Sequence, residues 1–373
     1  MNFTKKLVWR LFKATTILLL LIYIPASFVY IISPQQWWLM GIFSVGFPYL
    51  WIFLMAYVFA WFFYQKRTSF LLLALLLAGL PVMKNVFAIQ PVKAFTVVKQ
   101  TGHFRIMQWN CNGLPPCIPV NESFCQERAK AVAFIKKYNP DIICVQDFAE
   151  VIANSVSSNI ALMQDTLGYR YFRYRQHYNN KVPGWQDGIG IAIFSKFPIE
   201  NSGLLNYPKK KKPESILWAG FNINGKPFRV ATTHLQSMHL SRDLSKPLEK
   251  DLSEDSVVIM QANKIEKLKY FQPYHVTEAR YLRQFLDTCK SPLIFTGDLN
   301  SVPASYVYHT VRGKLNDAFL QNNAGFGRTY DSWQPTLRID YIFYNDAIQS
   351  HQTSLFRTTF SDHDPLIMDF TIR

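Results

Sequence analysis

Apolar and polar positions divide the chain near residue 90. Before that point three apolar stretches follow one another, Ala14 to Ile32, Trp38 to Tyr64 and Ser69 to Ile89, without a single Asp or Glu. A bilayer crossing takes about 20 mostly apolar residues, and in lipid every backbone N–H and C=O must find its partner within the segment. The pattern therefore predicts three transmembrane helices. A cleaved secretory signal is the alternative for the first stretch, because Lys5, Lys6, Arg10 and Lys13 form a basic start. Two further long stretches and the lack of a small-residue cleavage pattern favour a retained helix.

Beyond residue 90 short β-branched runs alternate with amphipathic stretches, the signature of an α/β domain. Strands are predicted at Phe104 to Trp109, Ile142 to Gln146, Ile189 to Phe194, Ile216 to Ile223, Arg229 to His234, Leu293 to Thr296, Ile339 to Tyr344 and Leu366 to Thr371. Helices are predicted at Glu127 to Tyr138 and Thr277 to Thr288, with a polar segment from Gln236 to Pro273 as a further helical candidate. The organisation expected is a membrane anchor over residues 1–92 and a catalytic domain over residues 93–373.

Charge adds orientation. Four basic residues precede the first helix, the first connection carries none, and Lys66 and Arg67 lie in the second. By the positive-inside rule the N-terminus and second connection are cytoplasmic, and an odd number of crossings puts the domain on the non-cytoplasmic side. The net charge is +15. Seven of the 40 Lys and Arg fall before residue 90, leaving 33 against 25 acidic residues, or +8, for the domain. A basic domain suits an anionic partner. The run Lys209 to Lys212 fits a solvated loop first and a phosphate-tracking patch second. Five irregularly spaced cysteines give no zinc or disulfide framework. Cys117 and Cys125 can pair in an oxidising compartment, while Cys111 and Cys144 fit buried free thiols.

Polar groups recur where strands end: Gln108-Trp109-Asn110, Gln146-Asp147, Thr233-His234-Leu235, Gly297-Asp298-Leu299-Asn300, Arg338-Ile339-Asp340-Tyr341 and Ser361-Asp362-His363-Asp364, with Asp187-Gly188 weaker. Each alone has a dull explanation, a turn cap or a structural histidine. Together they supply what metal-assisted phosphodiester hydrolysis requires. Asp147, Asp362 and the Asn110 amide are hard oxygen ligands suited to Mg²⁺, Mn²⁺ or Ca²⁺. Two histidines beside carboxylates can move protons near neutral pH, and Asn300 can hold a phosphate oxygen without competing for the cation.

In this order the motifs resemble those of the endonuclease/exonuclease/phosphatase superfamily, which includes pancreatic-type deoxyribonucleases, abasic-site endonucleases, neutral sphingomyelinases and inositol-polyphosphate 5-phosphatases. The resemblance covers Phe104 to Ile372. It implies a four-layer α/β/β/α sandwich and a divalent cation, Mg²⁺ first, held by Asn110, Asp147 and Asp362. It further implies that Asp298 activates the attacking water, Asn300 binds phosphate, Asp340 orients His363 as general base or charge stabiliser, and His234 is the acid for the leaving group. Asp147 departs from the pattern, which has Glu there. Its carboxylate reaches one methylene less far.

Nucleic acid is the slightly favoured substrate class, on the +8 charge. A phospholipid or sphingomyelin headgroup, or an inositol phosphate, is the alternative, on the membrane anchor. Abasic-site repair fits poorly with three membrane helices. Trp185, Tyr330, Trp333 and Tyr341 lie close to the motifs and can stack on bases or sit in a lipid interface, with ordinary packing the plainer reading. A non-catalytic membrane-tethered binder predicts missing site residues, and none is missing. Transport is disfavoured because the helices hold almost no ionisable residue.

Overall fold

The computed structural model describes residues 3–114, 122–151, 158–182, 185–208, 214–237, 264–331 and 334–373. The Lys209 to Lys212 run, Cys117, Trp333 and most of the polar segment before Lys264 lie outside the described residues, as do the side chains of Trp185 and Asp187.

The apolar N-terminal part of the chain corrects the expectation of three uninterrupted spans. Helices α1 (Phe3–Ala26) and α2 (Leu39–Tyr64) are each long and apolar enough to cross a membrane. The third stretch is instead two helices, α3 (Lys66–Ala78) and α4 (Leu80–Val86), bent by 56° at Gly79. The cause is local. Pro81 sits at the start of α4 and has no N–H to continue the α3 ladder. Gly79 is needed because a Cβ there would lie 2.2 Å from the Tyr23 hydroxyl, which donates to Leu76 O at 2.9 Å. α1 also begins earlier than its apolar run, taking the four basic residues into its first turns.

All eight predicted strands are present. In chain order the elements are β1 (Ala88–Ile89), β2 (Phe104–Gly113), α5 (Glu122–Tyr138), β3 (Ile142–Val151), α6 (Asn159–Ala161), β4 (Tyr171–Val182), β5 (Trp185–Ser195), β6 (Asn201–Asn206), β7 (Ser215–Ile223) and β8 (Lys226–His234). Then come α7 (Lys264–Thr288), β9 (Leu293–Asp298), α8 (Tyr306–Arg312), β10 (Asn316–Asp317), α9 (Ala318–Asn322), β11 (Ala324–Gly325), β12 (Asp340–Tyr344), β13 (Ile348–Leu355) and β14 (Leu366–Ile372). α7 unites the Thr277 helix with the end of the polar segment, running through Pro273.

Two six-stranded sheets run in the orders β13-β14-β2-β3-β5-β4 and β10-β12-β9-β8-β7-β6. Within each, one central pair is parallel, β2 with β3 and β8 with β9, and the other pairs are antiparallel. Parallel neighbours need a crossover, which α5 and α7 provide. Ligand sites in such sheets form beyond the carboxyl ends of parallel strands. Asn110, Asp147, His234 and Asp298 all stand there, and β12, running the other way, starts at that end with Asp340 opposite Asp298.

Apolar packing follows the same division. Ile106, Ile142 and Ile193 of the first sheet share one buried cluster with Leu217, Val230 and Ile294 of the second. Leu282, Leu286 and Tyr308 of α7 and α8 pack on Phe295 and Phe343, and Ala131 and Ile135 of α5 pack on Met107 and Ile143. A fourth cluster, around Tyr23, Phe47 and Leu72 of the apolar helices, also takes in Ala304 of the domain. β1 continues α4 directly into the domain by pairing with β11.

Candidate active site

The site is built at strand ends by backbone turns that only some residues accept. Asp147 has φ +47° where β3 slips register against β5, and Asn300 has φ +47° just after β9. Asp and Asn are the residues other than Gly that best tolerate this region. The Asp298 carboxylate fixes the second turn by accepting from Asn300 N at 2.7 Å. Ser361 ties the last motif to the first, donating to Asn110 O at 2.9 Å and accepting from His363 N at 3.1 Å.

Seven of the eight predicted residues interlock through side-chain contacts. Asn110 Nδ2 donates to Asp298 Oδ2 at 3.0 Å and faces Asp147 Oδ2 at 3.3 Å. His234 stands between the same carboxylates, its Nδ1 3.2 Å from Asp147 and its Nε2 3.5 Å from Asp298. Asn300 Nδ2 is 3.0 Å from His234 Nε2 and donates to Leu235 O at 2.9 Å. Asp340 Oδ2 lies 2.9 Å from His363 Nδ1, and Asp298 lies 3.8 Å from the same nitrogen. The eighth, Asp362, keeps its Oδ1 buried, without a hydrogen-bond partner among the described residues.

The charges are strongly biased. Burial works against a charged imidazole at His363, but Asp340 outweighs it and lifts the pKa to about 9. At His234 burial is likewise overcome, chiefly by Asp147, and the pKa rises to about 10. Burial is also opposed at Asp147, where His234 holds the carboxyl well below the usual range. Asp298 is pushed up to about 6 by burial and by Asp340, against the pull of His363 and His234. Burial raises Asp362 too. A carboxylate near 6 and imidazoles above 7 are the unequal pair that proton transfer at neutral pH uses.

Asp298, Asp340 and His363 each offer a ligand atom within 4.8 Å of one another. His363 Nδ1 is already engaged with Asp340, so this trio reads as a proton-handling dyad with a neighbour. The donor set that fits a hard cation is Asp147 and Asp362, whose unpartnered Oδ1 calls for a positive charge. Asn110 joins them if its amide turns to present Oδ1, which now accepts from Asn112 N at 3.2 Å.

Tyr178 and Thr329 escaped the sequence, as did the supporting roles of the motif residues Gln108 and Gln146. Tyr178 of β4 donates to Asp147 Oδ1 at 3.1 Å. Beneath the site Gln108 Nε2 donates to Gln146 Oε1 at 2.7 Å and to Asp340 Oδ1 at 3.1 Å, and Gln146 Nε2 donates to Thr232 Oγ1 at 2.8 Å. Buried glutamines inside otherwise apolar strands were the available signal. Thr329 Oγ1 accepts from Ile339 N and Asp340 N at 2.9 and 3.1 Å. Of the aromatic candidates, Tyr330 lies 4.8 Å from the His363 ring, whereas Tyr341 is fully buried and donates to Ser301 O and Arg338 O. Cys111, Cys144 and Cys289 are free, and Cys125 is disulfide-bonded.

Comparison with known proteins places this geometry. Residues 107–363 match the model of the Endonuclease/Exonuclease/phosphatase family, and residues 5–86 match a domain of unknown function, DUF8431. The chain is 28% identical to Tyrosyl-DNA phosphodiesterase 2 of Xenopus tropicalis over 42% of its own length and 37% of that protein's. It is 27% identical to Inositol phosphosphingolipids phospholipase C of Schizosaccharomyces pombe over 60% of its length and 47% of that protein's. The chain thus spans less than half of each curated relative. Among solved structures, the human Nocturnin catalytic domain with bound sulfate superposes with a TM-score of 0.50 at 21% identity, covering 73% of this chain and 94% of that one. An endonuclease/exonuclease/phosphatase from Beutenbergia cavernae gives 0.51 at 18% identity, covering 72% of each chain. With the family model matched over most of its length and the motifs meeting at one end of two sheets, the chain belongs to the endonuclease/exonuclease/phosphatase family.

Proposed function

We propose that the chain is a divalent-metal-dependent phosphodiester hydrolase anchored in a membrane. The observation that carries this reading is the Asp340–His363 dyad beside Asp298, with the unpartnered oxygen of Asp362 in the same site. Asp147, Asp362 and Asn110 would hold the cation, Mg²⁺ first and Mn²⁺ or Ca²⁺ as alternatives. A cation held by these residues would supply polarisation of the phosphoryl group and charge for the leaving oxygen. Asp298, with its pKa near 6, takes a proton from the attacking water. His363, held by Asp340, places positive charge on a phosphate oxygen. Asn300 donates to another, and His234 gives a proton to the leaving group.

The reading extends to organisation. Residues 1–92 form the anchor and residues 93–373 the catalytic domain, with the layer order α/β/β/α supported by α5 packing on one sheet and α7 and α8 on the other. Counting the bent α3–α4 pair as one span gives three crossings and puts the domain on the non-cytoplasmic side. Two substrate classes have support. The domain's net charge of +8 and the tyrosyl-DNA phosphodiesterase relative favour nucleic acid. The apolar helices and the phosphosphingolipid phospholipase relative favour a lipid headgroup.

Full-length protein in lipid nanodiscs, given bis(p-nitrophenyl) phosphate with Mg²⁺, Mn²⁺ or Ca²⁺, tests the chemistry. Release of nitrophenol should stop with EDTA and fall about 10²–10⁴-fold in His363→Ala. Release that ignores EDTA or survives in the variant would remove the proposal.

A further inference from the structure

The chain between β11 and β12 touches the catalytic residues on one side and the apolar helices on the other. Toward the site, Tyr330 forms an antiparallel bridge with His363, its ring tilted against the imidazole at 4.8 Å, and Asp331 N donates to Asp362 O at 2.7 Å. Toward the helices, the Phe326 ring meets Phe87 edge-on at 5.0 Å, and Thr336 Oγ1 lies 3.3 Å from the Tyr49 hydroxyl. Arg338, two residues before Asp340, donates through Nη2 to Asn85 O at 2.6 Å. The loop after Asn300 is seated the same way, with Ala304 buried among Val29, Met40, Phe47 and Val86.

The depth of these contacts can be read along the helices. Lys66 and Arg67 mark the polar boundary at one end of α2 and α3. Tyr49 lies 17 residues before Lys66, about 25 Å at the 1.5 Å rise of an α-helix. Asn85 lies 19 residues after it, and the 56° bend shortens that path to about 25 Å as well. A hydrocarbon core is about 30 Å thick. Counted from Lys66, both helices therefore first meet the domain near the boundary between acyl chains and headgroups, and α2 continues past Tyr49 beside the domain, where Lys269 lies over the Trp38 ring at 4.2 Å. Ile89 and Val92, 81% and 71% exposed, extend an apolar surface from the same end of α4. The catalytic dyad is close to this level, since Asp340 is at most about 7 Å of chain from Arg338.

We propose that the cleft takes its phosphodiester from a lipid headgroup of the bilayer in which the helices sit; this rests on the hydrolase reading above. A lipid phosphate is confined to the headgroup layer, where the dyad is held. A nucleic acid would have to bring its charged backbone down to the apolar surface that Ile89 and Val92 extend. In the reaction, water oxygen bonds to phosphorus and one P–O ester bond breaks. The alcohol leaves with a proton, and a phosphomonoester remains.

Full-length protein in phosphatidylcholine nanodiscs doped with phosphatidylglycerol, phosphatidylinositol or sphingomyelin provides the test, with single-stranded oligonucleotide and bis(p-nitrophenyl) phosphate as soluble competitors. One of the bilayer lipids should be hydrolysed at least ten times faster than the oligonucleotide, and not at all by His363→Ala. Cleavage of the chromogenic diester with no lipid turnover, or faster cleavage of the oligonucleotide, overturns the lipid assignment and leaves the hydrolase reading standing. No cleavage of any of them overturns both. Depth is measured separately, with a nitroxide on Pro335→Cys in a Cys289→Ser background. Greater collision with oxygen than with an aqueous nickel chelate is expected, and the accessibility of a fully aqueous site would overturn the geometry whatever the turnover.

Discussion

The Asp147 carboxylate lies 3.2 Å from His234 Nδ1 while its own backbone sits at φ +47°. Both facts favour Asp over the Glu usual at this position. A longer side chain must either strain a left-handed backbone, at about 1–3 kcal/mol, or displace His234 and Tyr178. Asp147→Glu is therefore expected to weaken the proposed activity. In a metal titration of diester hydrolysis the half-saturating concentration should rise by about tenfold or more, the equivalent of that strain. An unchanged or lower value would mean that the short carboxylate is a defect.

Arg338 and Asp317 form an ion pair of 2.6 Å with both side chains 1% exposed. Tyr308 donates to the same carboxylate at 2.8 Å, and the Asp317 carboxylate also accepts from Phe319 N at 3.0 Å, starting α9. Removing the arginine leaves a buried charge, which costs about 3–5 kcal/mol, and breaks the link to Asn85. Arg338→Met should lower the thermal midpoint of the full-length protein far more than the double variant Arg338→Met/Asp317→Leu, where no charge is stranded. Equal losses would show that packing, and not the ion pair, holds this corner.

The sequence disclosed the elements that alternate or end on polar residues, and missed those that do neither. Tyr171–Val182 has little apolar alternation, so β4 and with it Tyr178 stayed hidden. Gly79 and Pro81 interrupt a run that stays apolar throughout, so hydropathy alone reads α3 and α4 as one span although Gly-x-Pro marks a break. The candidate site residues that cluster were legible because each lies at or near a strand end in a short motif. The contacts that join the site to the apolar helices were not. Tyr49 and Thr336 are 287 residues apart, and no local pattern announces such a pair.

His177 is buried with its Nε2 2.9 Å from Ser215 Oγ, and burial, with His234 and Arg175 adding to it, pushes its pKa down to about 3. An unfolded histidine titrates near about 6.5. Below that pH the unfolded chain binds a proton that the folded chain refuses, so stability falls as pH drops from about 6.5 toward 3. The contribution is at most about 1.4 kcal/mol per pH unit. Thermal midpoints of wild type and His177→Gln, measured from pH 7 to pH 4, should converge as pH falls. Parallel curves would show that His177 is protonated in the fold.

Asp340 divides its two oxygens between the proposed catalytic imidazole and its support: Oδ2 faces His363 Nδ1, and Oδ1 accepts from Gln108 Nε2 at 3.1 Å. An asparagine keeps the shape but offers an N–H on one side, so either Gln108 or His363 meets a donor in place of an acceptor. The imidazole then loses the carboxylate that keeps it charged, the cause of its raised pKa. Asp340→Asn should lower kcat for the chromogenic diester by about 10²–10⁴-fold. KM should change little, because Asn300 and the proposed cation ligands are untouched. The high-pH limb of the rate profile should also move down, since His363 would lose its proton at lower pH. A variant that loses rate with an unshifted limb would assign Asp340 to architecture and leave the charge on His363 to Asp298.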